Sequence, residues 1–526
     1  MPLVYNIKPV FETLDRSLKK VARGTSIAIV GIALGLLFNF LAKLIIARYG
    51  LEANYGMFSL ALAILTVAMT LACLGLHLGA TRYIAYFRAK DNIAKVRGTI
   101  SISLQLVTIA SLIIGIALFF SAEAIALNIF HTPQLAQFLR IFAIGTPFFA
   151  LIYIIGAIFR GFDQVEPQVY FQYIMLNVLF IIFLVLIIAI GLPFVTVFYA
   201  YLAALVVTFI GATIYTIKKL PQRITFSDSK ANAAVRKELL LFSLPLLGTA
   251  ILGMSILWLD TIMLGYFKVP EVVGLYNTAY PLAQSLSSPP FALLLIYTPI
   301  VTALYSQNLM ADLRRSYIIV TKWIALVTMP MFLVLCLYPE YVLNLLFGPT
   351  YTAAAPALRL LSIGFIIDTL PGPNLATLIA LGESRFIMWT TLAAALVNII
   401  LNIALIPPLG IVGAAIASAA SLTLLSAVKS VKLYASYRVQ PLSKNLLKPL
   451  VASVILALLF QLMFGRLILV TWWMLPLLFI LYYGIYGMAT VLSKSFDRED
   501  IVLLLEVEKR FGINAEPLKR ILRRFI

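Results

Sequence analysis

Two aspartates and a lysine lie inside stretches that are otherwise almost wholly apolar, where charge is costly to keep. Lys43 is in FNFLAKLIIARYG, one helical turn after Asn39; Asp260 is toward the far end of Leu239–Phe267, LLLFSLPLLGTAILGMSILWLDTIMLGYF; Asp368 is in GFIIDTLPGPNLA, just before Pro371, Gly372 and Pro373. An ionised side chain costs about 2.5 to 3.5 kcal/mol at the centre of a membrane helix, so such groups face a cavity, an ion path or one another. The chemistry open to them is the capture and release of an ion, a proton or a charged ligand. Each also has a plainer reading. Lys43 can snorkel its ammonium to a headgroup layer, Asp260 can be a hydrogen-bonded structural acid at a helix end, and Asp368 can cap a second half-helix after the prolines.

Other polar residues stand at similar depths. In AYPLAQSLSSPPF, the side chains of Gln284, Ser285, Ser287 and Ser288 can bond sugar-like hydroxyls or simply accompany a proline kink. Asn177, Asn398 and Asn402 read as hydrogen-bonding glue between helices. His77 and His131 are isolated from cysteines and carboxylates, so no metal site is expected. Cys73 and Cys336 both fall in apolar runs and read as small packing residues.

Composition sets the elements that must position these groups. Hydrophobic residues make up 62% of the 526 and charged ones 12%, about half the usual charged share of a soluble domain. A polytopic all-α membrane protein is expected, and a separate soluble domain is excluded. Apolar runs of spanning length predict fourteen transmembrane helices, near 25–47, 56–79, 98–120, 138–159, 168–190, 195–217, 240–266, 274–304, 316–338, 356–381, 386–406, 410–433, 446–465 and 469–492. The N-terminal Ile7–Gly24 lacks a cleavage site and reads as an amphipathic segment rather than a signal peptide.

The net charge of +19 is a topology signal more than a nucleic-acid footprint. All lysines and arginines except Lys43, Arg48, Arg140, Lys268, Arg359 and Arg466 fall in the tails, in alternate loops on the N-terminal side, or at the span ends beside them. That side is cytoplasmic by the positive-inside rule, which puts both termini there in a plasma membrane. Attraction to anionic lipids follows, and the tail from 497, ending in KRILRRFI, is expected along that leaflet with Asp497, Glu499 and Asp500 on its solvated face. No nucleic-acid partner is expected.

A repeat divides the chain. LRIFAIG at Leu139–Gly145 returns as LRLLSIG at Leu358–Gly364, ANYGMFSLA resembles VVGLYNTA with Gly56 on Gly274, and Asn177 falls on Asn398, all at nearly one spacing. Six spans therefore repeat as six in the same orientation. The expected organisation is an N-terminal segment (1–24), an N-lobe (25–218), a linker (219–238), a C-lobe (239–434), two further helices (435–492) and a tail (493–526). Asp260 maps onto Ala42, next to Lys43. A cation and an anion thus take nearly equivalent places in the two halves and are expected to pair, with Arg48 nearby, as part of an outer gate.

The segments RYGLEANYG, FSLPLLG, LDTIMLGYF, EVVGLYNTAYPLAQ, LRLLSIGF, ALGESR and PPLGIVGAAIASAAS resemble the multidrug/oligosaccharidyl-lipid/polysaccharide exporter superfamily, and within it the polysaccharide transporter branch. The resemblance covers about residues 25 to 435. It implies two six-helix lobes, alternating access, no catalysis, and transport of a glycan on a polyprenyl or dolichyl (di)phosphate carrier to the outer leaflet, in company with glycan-assembly proteins. Alternatives are a peptidoglycan-precursor flippase, a cation-coupled multidrug exporter and, in another class, a membrane glycosyltransferase or polymerase. In the flippase reading Lys43, Arg48, Asn39, Asp260, Gln284 and Ser288 line the substrate cavity. Asp260 and Asp368 are candidates for coupling to a Na+ or H+ gradient or to the membrane potential. Arg82, Arg88, Arg160 and Arg385 gather headgroups at the cytoplasmic mouth, and Arg140 and Arg359 are interfacial anchors or release contacts. No metal or other cofactor is expected.

Overall fold

A computed structural model describes residues 8–220, 229–441, 443–464 and 474–493, together with 495 and 500, with most of their side chains from Val30 onward. Among these residues the regular structure is helical. The helices are α1 (Lys8–Ala72), α2 (Leu76–Ala89), α3 (Ile93–Ala124), α4 (Leu135–Gly161), α5 (Glu166–Gln168), α6 (Leu176–Ile190), α7 (Thr196–Lys219) and α8 (Ser229–Phe267). They continue as α9 (Pro270–Gln284), α10 (Ser288–Ser306), α11 (Met310–Leu337), α12 (Pro339–Leu346), α13 (Ala355–Thr369), α14 (Asn374–Ala380), α15 (Ser384–Leu409), α16 (Ile411–Tyr437), α17 (Lys444–Phe464) and α18 (Met474–Leu492). Large apolar side chains such as Phe120, Ile217 and Leu462 are more than two-thirds exposed, a surface that hydrocarbon solvates and water does not. The chain is a multi-pass membrane protein.

Ten stretches among the described residues are long and apolar enough to cross a membrane, against fourteen expected. The first two expected spans fall in one run, Val30–Ala89. They are separated within α1 by Leu51, whose φ of 59° breaks the helix in the left-handed region that a branched residue seldom enters. The eighth expected span is interrupted by a 3-10 turn at Ser285–Ser287, where AYPLAQSLSSPPF predicts a break. The thirteenth and fourteenth contribute the shorter apolar helices Asn445–Leu459 and Ile480–Leu492.

The helices form two compact units, one of Met1–Gly50 and Leu60–Met254, the other of Leu51–Ser59 and Ser255–Ile526. The division falls inside α8, whereas the apolar pattern places the start of the second half at Leu239. In unit 1 the core joins α1 to α4 and the start of α8, through Met69, Cys73, Leu76, Ile100, Ile154 and Leu239. In unit 2 Tyr297, Val301, Tyr317, Ile324, Leu378 and Leu433 fill the corresponding space. Cys73 packs there as an apolar residue, and both cysteines are free.

Two glycines matched by the repeat meet in unit 2. A methyl group at Gly56 would strike the Pro270 carbonyl and the Gly274 nitrogen, and one at Gly274 would strike the Glu52 carbonyl. Backbone therefore lies on backbone, and the Tyr55 hydroxyl adds a 3.1 Å hydrogen bond to the Asn277 carbonyl. Gly274→Val is expected to cost about 1 to 3 kcal/mol by overpacking, lowering the melting temperature of the detergent-solubilised protein. Gly484→Ala, at a glycine with nothing within 4 Å of the added carbon, serves as the neutral control. Equal melting temperatures for the two would refute the close packing.

Asp500 departs from the expected solvated face. Its side chain is fully buried against Lys322 of α11. Lys322 Nζ donates to Asp500 Oδ2 at 2.6 Å and to the Ser495 carbonyl at 3.1 Å, and Trp323 Nε1 donates to Asp500 Oδ1 at 2.8 Å. The cause is Lys322: an ammonium buried in a helix bundle must find an anion, and the chain after α18 brings one. Asp497, Glu499 and the rest of the tail from 501 lie outside the described residues.

Candidate functional site

Asp260, two turns before the end of α8, lies in a polar centre whose described members all belong to unit 2. It is 5% exposed. Tyr276 of α9 and Ser418 of α16 donate their hydroxyls to Oδ2, and Asn402 Nδ2 of α15 donates to Oδ1 at 2.8 Å. The same Asn402 nitrogen reaches Asn398 Oδ1 at 3.0 Å. Lys43 was the partner expected for Asp260; the partners found are three neutral donors of its own unit. They stabilise the carboxylate without cancelling its charge.

One atom of this centre is unsatisfied. Asn402 Oδ1 is buried and has no hydrogen-bond partner, a loss of about 1 to 3 kcal/mol for an acceptor left dry. Two of the residues bonded within this centre, Asn398 and Ser418, also line a cavity of about 40 Å³, together with Ser255, Leu259, Tyr280 and Ser421, above the roughly 10 to 15 Å³ that a water needs. Carboxylate, amide and hydroxyl oxygens are hard ligands. A single negative charge surrounded by such oxygens, one of them orphaned, fits a monovalent cation or a proton. Sequence reading took Asn398 and Asn402 as glue and missed Tyr276 and Ser418. The available signal was the four-residue spacing of the two asparagines, which puts both on one helix face, followed by the serines of the small-residue helix α16.

Asp368 lies at the end of α13, half-buried, with buried Lys429 of α16 as its electrostatic neighbour. It is not the cap of the next half-helix. That position is Pro373, which makes no side-chain cap bond. The carbonyls freed by the prolines are met by protein instead: Tyr317 donates to the Pro371 carbonyl at 2.6 Å, and Ser426 to the Ile367 carbonyl at 3.2 Å. Gly372 has φ 95°, and a side chain there would collide with Thr321. Gln284 is half-buried at the end of α9, and Ser288 is exposed at the start of α10.

In unit 1, Asn39 is exposed and donates to Asn177 Oδ1 at 3.3 Å. Lys43 is half-buried and Arg48 exposed. The basic residues assigned to the cytoplasmic mouth separate into different environments. Arg82 lies over the Phe242 ring at 4.1 Å. Arg88 is paired with Asp163 and donates to the Gly161 carbonyl. Arg160 is half-buried on α4, and Arg385 is exposed at the start of α15 in unit 2. The repeat-matched arginines each hold a glutamate of the preceding segment, Arg140 with Glu123 at 2.9 Å and Arg359 with Glu340 at 3.2 Å.

At the loop before α15, Glu383 accepts from Lys432 and from Tyr437, at 3.0 and 2.8 Å. These bonds hold its carboxyl below the usual carboxylate range. A depressed folded value gives stability that is present above the unfolded value, about 4.3, and lost as pH falls through the folded one. The melting-temperature advantage of the natural protein over Glu383→Gln at neutral pH is therefore expected to shrink as the pH falls below the unfolded value and to vanish once the pH is below the depressed folded one. An advantage unchanged across that range would show that the bonds carry no charge dependence.

Among known proteins, the teichuronic acid biosynthesis protein TuaB of Bacillus subtilis is 30% identical over 128 residues, 24% of this chain and 26% of its own. The probable flippase AglR of Haloferax volcanii is 29% identical over 177 residues, 32% of this chain and 36% of its own. The match thus spans about a quarter to about a third of these relatives. In structure, the lipid II flippase MurJ in an inward closed conformation shares the fold, with TM-score 0.68 and 15% identity over 87% of this chain and 97% of MurJ. A MatE profile matches residues 245–404. The polysaccharide biosynthesis protein profile matches residues 21–306, more than half of the sequence, and with the helical fold in place the chain belongs to that family.

Proposed function

We propose that the chain is a flippase that moves a polyprenyl-(di)phosphate-linked oligosaccharide from the cytoplasmic to the outer leaflet of the plasma membrane. Two helical halves alternate in access, and a Na+ or H+ gradient drives the cycle through Asp260. The family assignment and the names of AglR and TuaB support the glycan-lipid substrate. The observation that carries the coupling is the buried Asp260 carboxylate beside the orphaned Asn402 oxygen. A fixed charge of this kind in low dielectric changes its cost sharply when a cation or proton arrives. Occupancy can therefore bias one state over another by the difference in binding between them.

Lys43 and Arg48 are assigned to the substrate path by their charge, and the basic loops place both termini on the cytoplasmic side. A cation-coupled exporter of cationic drugs is the second reading, favoured by the MatE match over the segment that holds Asp260.

The test is reconstitution in liposomes with a fluorescent polyprenyl-diphosphate oligosaccharide and a membrane-impermeant quencher. Label is expected to become accessible from the opposite leaflet faster with the protein, and faster again with an imposed Na+ or proton gradient. Accessibility unchanged by the protein, with gradient-driven uptake of ethidium instead, would replace the first reading by the second.

A further inference from the structure

We propose that unit 1 contains an anion site, built from His77 and Arg160, that takes the phosphate group of a lipid phosphate. This rests on the flippase reading and names where that reading's charged headgroup binds.

The site begins with two unsatisfied atoms. His77 Nδ1 and Arg160 Nε are both buried without a hydrogen-bond partner. They belong to residues on α2 and α4, helices joined at this level by Thr81, whose hydroxyl donates to the Ala157 carbonyl at 2.8 Å. Among the described residues the Arg160 guanidinium makes one hydrogen bond, a long one from Nη2 to the His77 carbonyl at 3.4 Å. Its other electrostatic neighbours are the hydroxyl-bearing rings of Tyr153 and Tyr173. The nearby carboxylate of Asp163 is taken by Arg88. A guanidinium thus faces an imidazole and two phenols, with no counter-anion in the set.

The surrounding backbone is arranged to hold this set in place. Residues Val169–Met175 wind as a π-helix, a form that recurs where a side chain must be turned toward a site. It presents Tyr173 to Arg160 and sends Gln172 Nε2 to the carbonyls of Ile152 and Tyr153, at 3.2 and 3.4 Å. Gly156 leaves room for that glutamine, since an added carbon would strike its amide. α4 is therefore clamped by Gln172 on one side and Thr81 on the other, next to Arg160.

Arg160 and His77 are each half-buried with the two orphaned atoms themselves covered, so a ligand meets the open part of both side chains and reaches those atoms as the side chains turn. Phosphate oxygens supply what both orphaned atoms lack. Arg160 can meet them with Nε and an outer nitrogen in a fork, and His77 can donate from Nδ1 in that tautomer. Tyr153 and Tyr173 add hydroxyl donors. A chloride or carboxylate satisfies fewer of these donors than a phosphate with its several oxygens. Sequence reading set His77 aside for want of metal ligands; with a guanidinium as neighbour its use is as a donor.

The experiment measures binding to the purified full chain in lipid nanodiscs, which reads the site whether or not the chain moves its lipid. The probes are farnesyl diphosphate, inorganic diphosphate, phosphatidylglycerol and farnesol. Farnesyl diphosphate is expected to bind, and Arg160→Gln to weaken it by about tenfold or more, the loss of one charge-assisted hydrogen bond. His77→Phe is expected to weaken it several-fold, with farnesol binding unaffected by either change. Inorganic diphosphate showing the same dependence on Arg160 identifies the source as the phosphate alone, and phosphatidylglycerol showing it identifies a membrane headgroup; both support the anion site. Arg160→Lys keeps the charge and loses the fork, so intermediate binding by a folded Arg160→Lys is the expected control. Farnesyl diphosphate binding that is equal in the natural protein, Arg160→Gln and His77→Phe would overturn the proposal. A positive binding result with no label movement in liposomes would reject the flippase reading and leave the site standing.

Discussion

Asp260→Asn is expected to lower gradient-driven movement of lipid-linked glycan by about one to two orders of magnitude. That is what losing a charged ligand worth about 1.5 to 3 kcal/mol produces. The reason lies in who faces the carboxylate. Tyr276, Ser418 and Asn402 all donate to it, so an amide at 260 turns one acceptor into a donor that meets donors, and it removes the one formal charge of the centre. Ser418→Ala keeps the charge and deletes a single bond, so it is expected to shift the half-saturating ion concentration only about two- to tenfold.

Stability provides a second reading of the same centre. The natural protein is expected to melt at higher temperature in sodium than in potassium, because a cation that binds only the folded state stabilises it. Asp260→Asn loses that response. If Asp260→Asn kept both the gradient stimulation and the ion-dependent melting, Asp260 would be a structural acid and the coupling would have to be sought elsewhere, with Asp368 beside Lys429 the next candidate.

The largest effect on stability is expected at Lys322. The Lys322 side chain is 2% exposed and that of Asp500 is 0% exposed, so Lys322→Ala leaves a buried carboxylate without the ammonium that stood 2.6 Å from it. One-sided removal of such a partner costs about 3 to 5 kcal/mol. The double change Lys322→Met with Asp500→Leu removes both charges and is expected to recover most of that loss, since a buried pair and its apolar replacement are often close in energy. Thermal denaturation in detergent micelles separates the cases. A double variant as unstable as Lys322→Ala would mean that the loss comes from packing rather than from the stranded charge.

The two buried acids differ in how they are compensated, and this assigns them different work. Asp500 has a full cation at 2.6 Å, which leaves little for an arriving ion to gain. Asp260 is held by neutral donors and keeps its charge available.

Much of this was open to sequence reading because the bilayer allows few solutions. A backbone that cannot bond to water must be helical, so apolar runs between basic loops announce the helices and their number within limits. The repeat of LRIFAIG as LRLLSIG announces two halves, and the matched pairs Arg140 with Glu123 and Arg359 with Glu340 show that it extends to side chains. Proline and serine in AYPLAQSLSSPPF mark a real break, because proline cannot donate and the freed carbonyls must be met. Asp260 stood out from its type alone, a charge in a span.

What no single stretch contains is the identity of its partners. Tyr276, Asn402 and Ser418 come from three other helices, separated from Asp260 by up to 158 residues, and only the packing of helix faces brings them to one carboxylate. The same holds for His77 with Arg160, and for Asp500, whose tail position reads as solvated until Lys322 is seen opposite it. Residue type and the membrane together determine that a buried charge must be compensated. Which group compensates it is a property of distance, and distance between remote segments is set by the fold.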